Sequence, residues 1–113
     1  MGAIDTRRLT CGTTLGAWEG TVDAYRQSRA AAKSLEAELS AATAAPTQDV
    51  EARFDALVDR WSAAMEKLLL MEAPSVAAIA IKARVIADDA VSDLDIAPAV
   101  AQAIAADLER LAA

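Results

Sequence analysis

The stretch VEARFDALVDRWSAAMEKLLLM, residues 50–71, carries the most regular pattern in the chain. Its apolar residues recur at alternating steps of four and three: Val50, Phe54, Leu57, Trp61, Ala64, Leu68 and Met71. Three heptads without a slip are typical of a helix that packs along a partner helix. A second stripe runs beside the first and consists of Val58, Met65 and Leu69. We therefore expect this helix to contact two neighbours.

The segment before it predicts another long helix. Its apolar face follows steps of three and four through Leu15, Trp18, Val22, Tyr25, Arg29, Ala32, Leu35 and Leu39. We expect this helix over about residues 14–42, with Thr13 or Thr14 as its N-cap. The following helix should run over about 47–71 with Thr47 as its N-cap. The two together predict a long antiparallel hairpin.

The most apolar stretch, LLLMEAPSVAAIAIKARVI at residues 68–86, does not have the character of a membrane span. A spanning helix needs about 20 predominantly apolar residues. Here Glu72, Lys82 and Arg84 interrupt the stretch, and Pro74 breaks helical hydrogen bonding. The stretch therefore predicts the end of one helix, a turn and the start of the next.

Two shorter helices should complete the fold. The third is expected over about 75–90, with a buried face formed by Val76, Ile79, Ala83 and Ile86. We expect Lys82 to pack its stem against the core while its amine stays in water. The fourth is expected over about 96–112, capped by Asp95 and with Pro98 in its first turn.

These elements predict an all-α bundle of four helices in one domain, residues 13–113, after a flexible N-terminal segment, residues 1–12. Thirty of the 113 residues are alanine and only 4% are aromatic, so each helix contact buries little area. The two short helices cannot cover the hairpin from end to end. We expect either the Trp18 end or the end at 61–71 to stay uncovered and to pair with a second copy, giving a homodimer.

Composition excludes several functions. A net charge of −6 disfavours nucleic-acid binding, which requires clustered Lys and Arg. The chain has no histidine, and so it lacks the commonest general base and the commonest zinc ligand. With a single cysteine it forms no internal disulfide. Because no secretory signal is visible in the first thirty residues, we expect a cytoplasmic protein. We also expect no cofactor and no bound metal.

Two groups of carboxylates and one thiol are candidate sites. Asp88, Asp89, Asp93 and Asp95 surround one turn, but they lack the spacing of a calcium loop and suggest capping in a solvated turn. The row Glu51, Asp55, Asp59 could face a magnesium ion, although the arginines nearby favour a solvated surface. Cys11 lies close to two arginines and has no evident base, so a bystander thiol is the favoured interpretation.

Two interpretations of the large side chains stay open. They fill the core, or some of them anchor a partner, because Trp, Tyr and Arg dominate binding hot spots. The candidate partner-binding residues are Trp18, Tyr25, Arg29, Trp61, Met65 and Leu68.

The segment APSVAAIAIKARVIADD, residues 73–89, resembles small Ala-rich helical proteins of unknown function from proteobacterial genomes and prophages. In these, a helical hairpin precedes a proline-led helix with a lysine about eight residues on, as in Pro74 and Lys82. The resemblance covers about 47–90, and Ala78 stands where the family often has glycine. It implies a bacterial or phage cytoplasmic protein and no particular activity.

We therefore hypothesise a non-enzymatic protein–protein interaction protein that binds through helix faces. It could be an adaptor, an assembly factor or a modulator encoded by a phage or mobile element, such as an anti-CRISPR-type inhibitor. The alternative is a protein that binds a metal or small ligand through carboxylates alone.

Overall fold

The computed structural model describes residues 14–113 and is all-α, as predicted. Its helices are α1 (Leu15–Ala41), α2 (Gln48–Leu70), α3 (Val76–Asp88) and α4 (Ala97–Ala112), and a turn of 3-10 helix spans Val91–Asp93. The described part contains four α-helices and no strand. Its extents are 60 × 31 × 20 Å, because the α1–α2 hairpin is much longer than the other two helices. The expected flexible segment, residues 1–12, lies outside the described residues.

Side-chain caps set the starts of three helices. The hydroxyls of Thr14, Thr47 and Ser75 accept hydrogen bonds from the amides three residues further on, at 3.1 to 3.3 Å. Each cap satisfies an amide that has no carbonyl partner in the first helical turn. The predictions for Thr14 and Thr47 are confirmed.

The prediction that Asp95 caps α4 is wrong. The N-cap residue is Ile96, which offers no side-chain hydrogen bond. Ile96 already has near-helical backbone angles, with φ −79° and ψ −7°, so the cap position falls one residue after the carboxylate. Pro98 does lie in the first turn, where its missing amide hydrogen costs nothing.

Helix α3 ends at Asp88, two residues earlier than predicted. Ala90 adopts the left-handed conformation, with φ 51° and ψ 45°. A left-handed residue just past the last helical turn is a common helix stop, although glycine usually occupies it. The reversal brings Asp89 to the C-cap position and leads the chain into the 3-10 turn.

The buried face of α3 agrees with the prediction only in part. Ile79 and Ile86 are partly buried against the core as expected, whereas Val76 is 69% exposed. The most buried residues are instead Ala78, Lys82 and Val85. These buried positions follow steps of four and three, as a helix face should. The charge on Lys82 concealed the pattern, because charged residues are rarely fully buried unless they are paired.

Lys82 does not keep its amine in water; that prediction is wrong. The side chain is 0% exposed, and its Nζ donates a hydrogen bond of 2.7 Å to Oδ2 of Asp107 on α4. The same amine donates to the carbonyl of Met71, at the end of α2. The buried lysine therefore joins α2, α3 and α4.

Asp107 is itself buried and has two further partners. Its Oδ1 accepts hydrogen bonds from the amide of Ala73 at 3.0 Å and from Nη2 of Arg110 at 3.1 Å. Arg110 also donates to the carbonyl of Ala73. These bonds compensate the desolvation of the carboxylate and fix the turn between α2 and α3.

The core explains which part of the hairpin stays uncovered. Its main cluster combines Trp18 and Val22 of α1 and Leu68 of α2 with residues of α3 and α4. Because the hairpin is antiparallel, the Trp18 end and the 61–71 end are the same end, and α3 and α4 cover it. The prediction that one of these ends is left over is therefore wrong, and the uncovered part is the half beside the α1–α2 turn.

Within residues 14–113, none of the helices combines the length and the apolar character that a bilayer crossing requires.

The buried Lys82–Asp107 pair gives a stability prediction. Asp107→Ala should lower the free energy of unfolding by about 3–5 kcal/mol, because it leaves a buried ammonium without its carboxylate. Replacing both partners with apolar side chains, Lys82→Met with Asp107→Leu, should recover most of that loss. Urea denaturation measures both. Glu109→Ala, on the exposed side of α4, is the control and should change stability by less than about 0.5 kcal/mol. Equal effects of Asp107→Ala and Glu109→Ala would contradict the role given to the pair.

Candidate functional site

Asp89 joins three helices at the end of α3. Its side chain is only 4% exposed, although the sequence predicted a solvated turn for it. The carboxylate accepts hydrogen bonds from Oη of Tyr25 at 2.6 Å, Nε of Arg29 at 2.9 Å and Nε1 of Trp61 at 3.1 Å. Tyr25 and Arg29 lie on α1 and Trp61 on α2. The prediction of solvation is wrong because Asp89 lies four residues after Val85 and so continues the buried face of α3 toward the hairpin.

Two cations of α1 lie over the Trp61 ring. The Arg29 guanidinium is 5.7 Å from the ring centroid, and Nζ of Lys33 is 5.3 Å from it. These residues are four apart, so one face of α1 presents both. The side chains of Arg29 and Lys33 are 34% and 46% exposed. Trp61 is half-buried. We call Arg29, Lys33, Trp61 and Asp89 the Trp61 cluster.

The cluster keeps its donors protonated. Burial, followed by the hydrogen bond to Asp89, raises the pKa of Tyr25 well above its ordinary value of 10. The hydrogen bond to Asp89 also raises the pKa of Arg29. Tyr25 therefore stays a neutral donor and Arg29 stays charged over the physiological range. The arrangement holds an arginine and a tryptophan at the surface in one orientation.

A groove between α1 and α3 runs beside the Trp61 cluster. Its volume is about 270 Å³. Apolar side chains lining it include Val22, Ile81 and Val85. Its charged lining residues are Arg26, Arg29, Lys33, Arg84 and Asp88. We call it the α1–α3 groove.

The structure divides the six predicted partner-binding residues into two sets. Four of them are at most 7% exposed and are covered by the chain's own helices: Trp18, Tyr25, Met65 and Leu68. Arg29 and Trp61 are partly exposed and lie together at the surface. Of the six, only these two are therefore accessible on the surface of the folded chain.

Asp89 and Lys33 are the cluster members that were not among the predicted partner-binding residues. Asp89 falls four residues after Val85, and so it continues the row Ala78, Lys82, Val85 on the buried face of α3. That spacing was a signal in the sequence from which the burial of Asp89 could have been predicted. Lys33 follows Arg29 by one helical turn, which also places it on the same face.

The other candidate groups form no ligand site in the described residues. Glu51, Asp55 and Asp59 are all exposed on α2. In residues 14–113, no group of three or more Asp, Glu or Cys side chains is arranged to hold a metal ion. Cys11 lies outside the described residues.

Comparison with known proteins assigns no role to these residues. The chain matches no family model, no curated protein and no solved structure.

The raised pKa of Tyr25 predicts an alkaline limit to stability. In the unfolded chain the phenol ionises near pH 10, whereas the folded chain keeps it neutral to higher pH. Stability should therefore be fully present below about pH 10 and fall as the pH rises above it, because the unfolded state releases its proton first. Melting temperatures between about pH 8 and about pH 11 measure this fall.

Tyr25→Phe is the control, since it has no phenol to ionise and keeps the ring. The variant should lack this part of the alkaline fall, while any lysine contribution stays. Tyr25 is the only tyrosine in the chain, so the ultraviolet absorbance of tyrosinate follows its ionisation directly. Equal alkaline falls in wild type and variant would contradict the assignment.

Proposed function

We propose that this chain is a non-enzymatic protein–protein interaction protein and that the Trp61 cluster belongs to its binding surface. The observation that supports this is the partly exposed Trp61–Arg29 pair, which a buried carboxylate holds in place. Surface tryptophans and arginines usually move freely. Here both side chains are held in place by hydrogen bonds to the carboxylate of Asp89.

Anchoring favours binding for an energetic reason. An immobilised side chain loses about 0.5–1.5 kcal/mol of rotamer freedom when it joins an interface. Because Asp89 already restrains Trp61 and Arg29, most of that loss has occurred on folding. Tryptophan and arginine are also the side chains that most often dominate interface energetics. The side chains of the Trp61 cluster are therefore preorganised for binding in the free chain.

We also propose that the uncovered half of the hairpin pairs with a second copy. Phe54, Leu57 and Val58 of α2 are half-buried there, and neither α3 nor α4 packs on them. A second copy would bury these side chains further. The mass of the chain in solution, by light scattering after size exclusion, should then be about twice 11.8 kDa. A monomer at all concentrations would contradict the pairing.

The proposed setting is the cytoplasm of a bacterium, with a gene of bacterial or phage origin. This follows from the resemblance of residues 47–90 to Ala-rich proteobacterial and prophage proteins. Adaptor, assembly factor and anti-CRISPR-type modulator are all compatible roles. For the alternative, a carboxylate-based ligand site, no arrangement in the described residues offers specific support.

Capture experiments with four proteins test the proposed surface. Tagged wild type and Arg53→Glu should retain the same proteins from a bacterial extract, whereas Lys33→Glu and Trp61→Ala should lose most of them. Lys33→Glu reverses a charge at the cluster without touching Asp89, so it should leave stability within about 0.5 kcal/mol. Arg53→Glu makes the same change of charge on an exposed part of α2.

Circular dichroism of each variant shows that it is folded. If all four proteins retain the same set, the Trp61 cluster is not the binding surface. If Trp61→Ala is unfolded, its loss of the set carries no weight and Lys33→Glu decides: a folded Lys33→Glu that retains the set would contradict the proposal.

A further inference from the structure

The α1–α3 groove is basic in an acidic protein. The chain carries 17 acidic and 11 basic side chains. Yet four cations line this single groove, Arg26, Arg29, Lys33 and Arg84, against one carboxylate, Asp88. Random placement in a chain of this composition would favour carboxylates. The groove therefore has a local charge opposite to that of the whole molecule.

The cations are arranged along a line. Arg26, Arg29 and Lys33 lie three and four residues apart, so they share one face of α1 over two turns, or about 10 Å. Arg84 approaches from α3 on the other side of the groove. A single anionic group would need only one or two of these cations. A row of this length suits a ligand with several carboxylates at helical spacing.

Two of the four cations have their charge unpaired within the described residues. Arg29 pairs with Asp89, and Nζ of Lys33 lies 3.9 Å from Glu36. No carboxylate of residues 14–113 lies within ion-pair distance of Arg26 or Arg84. Carboxylates of a partner would thus not have to displace a strong internal pair at these two positions.

The groove also offers apolar contact. Val22, Ile81 and Val85 line it. Ile81 is half-buried and accessible to a ligand, whereas Val22 and Val85 are almost fully buried. A ligand that satisfies both features has an apolar face next to acidic side chains. An amphipathic acidic helix has this character, with carboxylates at i and i+4 about 6 Å apart.

We propose that the α1–α3 groove binds an acidic amphipathic helix of a protein partner. The carboxylates of that helix would pair with Arg26, Lys33 and Arg84, and its apolar side chains would contact Ile81. This proposal rests on the proposed function and names the chemistry of the partner. The chain's own residues 1–13 carry two arginines and one aspartate, so their charge does not match the groove.

A synthetic peptide tests the proposal. The probe is a blocked, fluorescently labelled helical peptide with Glu at i and i+4 spacing on one face and Leu beside it. The full-length chain should bind it, and binding should weaken as salt rises, because the contacts are electrostatic. The same peptide with Lys in place of Glu should not bind. Fluorescence anisotropy measures both.

Charge reversal in the groove supplies the matched comparison. Arg26→Glu with Arg84→Glu should weaken binding of the acidic peptide by about tenfold or more. A double reversal outside the groove, Arg53→Glu with Lys67→Glu, makes the same change of net charge and should weaken binding by less than about threefold. Neither pair touches Asp89. If both double variants weaken binding equally, only net charge matters and the groove proposal is overturned.

Two further outcomes separate this proposal from the proposed function. If wild type binds neither peptide but still captures proteins through Lys33 and Trp61, the acidic-helix proposal is wrong and the proposed function stands. If that capture fails as well, both are wrong. A wild-type dimer that dissociates on Arg26→Glu with Arg84→Glu would show that a second copy occupies the groove, and this too overturns the proposal.

Discussion

The buried carboxylate of Asp89 is the constraint on which the arrangement of the hairpin and α3 depends. A carboxylate that is removed from water needs hydrogen-bond donors, and this one takes them from two other helices. Alanine-rich helix faces are nearly flat and fit one another in several registers. The bonds to Tyr25, Arg29 and Trp61 have direction, so they select one register. We infer that polar contacts supply the specificity that large apolar side chains supply in other bundles.

A second polar cluster acts on the same face of α3. Lys82 lies seven residues before Asp89, which is two helical turns, and it pairs with Asp107 of α4. Asp89 thus holds α3 to the hairpin, while Lys82 holds α3 to α4 and to the end of α2. Both sites lie toward the end of the hairpin that α3 and α4 cover. The half beside the α1–α2 turn receives no such contact. Ala32 and Leu35 are buried there, but Phe54, Leu57 and Val58 stay half-buried.

The same constraint shapes the surface to which we assign binding. The bonds of Asp89 bring Arg29 and Trp61 together and place the end of α3 beside α1. The α1–α3 groove is the space that remains between these two helices. Its cations belong to α1 residues spaced for one helix face, with Arg84 opposite. The hydrogen bonds of Asp89 that hold the helices together are therefore also the contacts that form the proposed binding surface.

The parts of the fold that depend on local sequence could be predicted. The heptad pattern of residues 50–71 indicated α2, and Thr14 and Thr47 marked helix starts by their own chemistry. Residue type and spacing suggested Arg29 and Trp61 as partner-binding residues, and both are partly exposed, but their binding role stays a prediction. The burial of Lys82 and Asp89 depends on partners far along the chain, with Asp107 25 residues from Lys82 and Tyr25 64 residues from Asp89. A charge without a visible partner is normally assigned to solvent, and for this reason both predictions failed.

The most direct test of the central claim compares two adjacent carboxylates. Asp89→Ala and Asp88→Ala remove the same charge at neighbouring positions, but only Asp89 is bonded to three donors of the hairpin. Urea denaturation should show that Asp89→Ala lowers the free energy of unfolding by about 2–5 kcal/mol. Asp88→Ala should change it by less than about 0.5 kcal/mol. Equal values for the two variants would contradict the claim that Asp89 organises the fold.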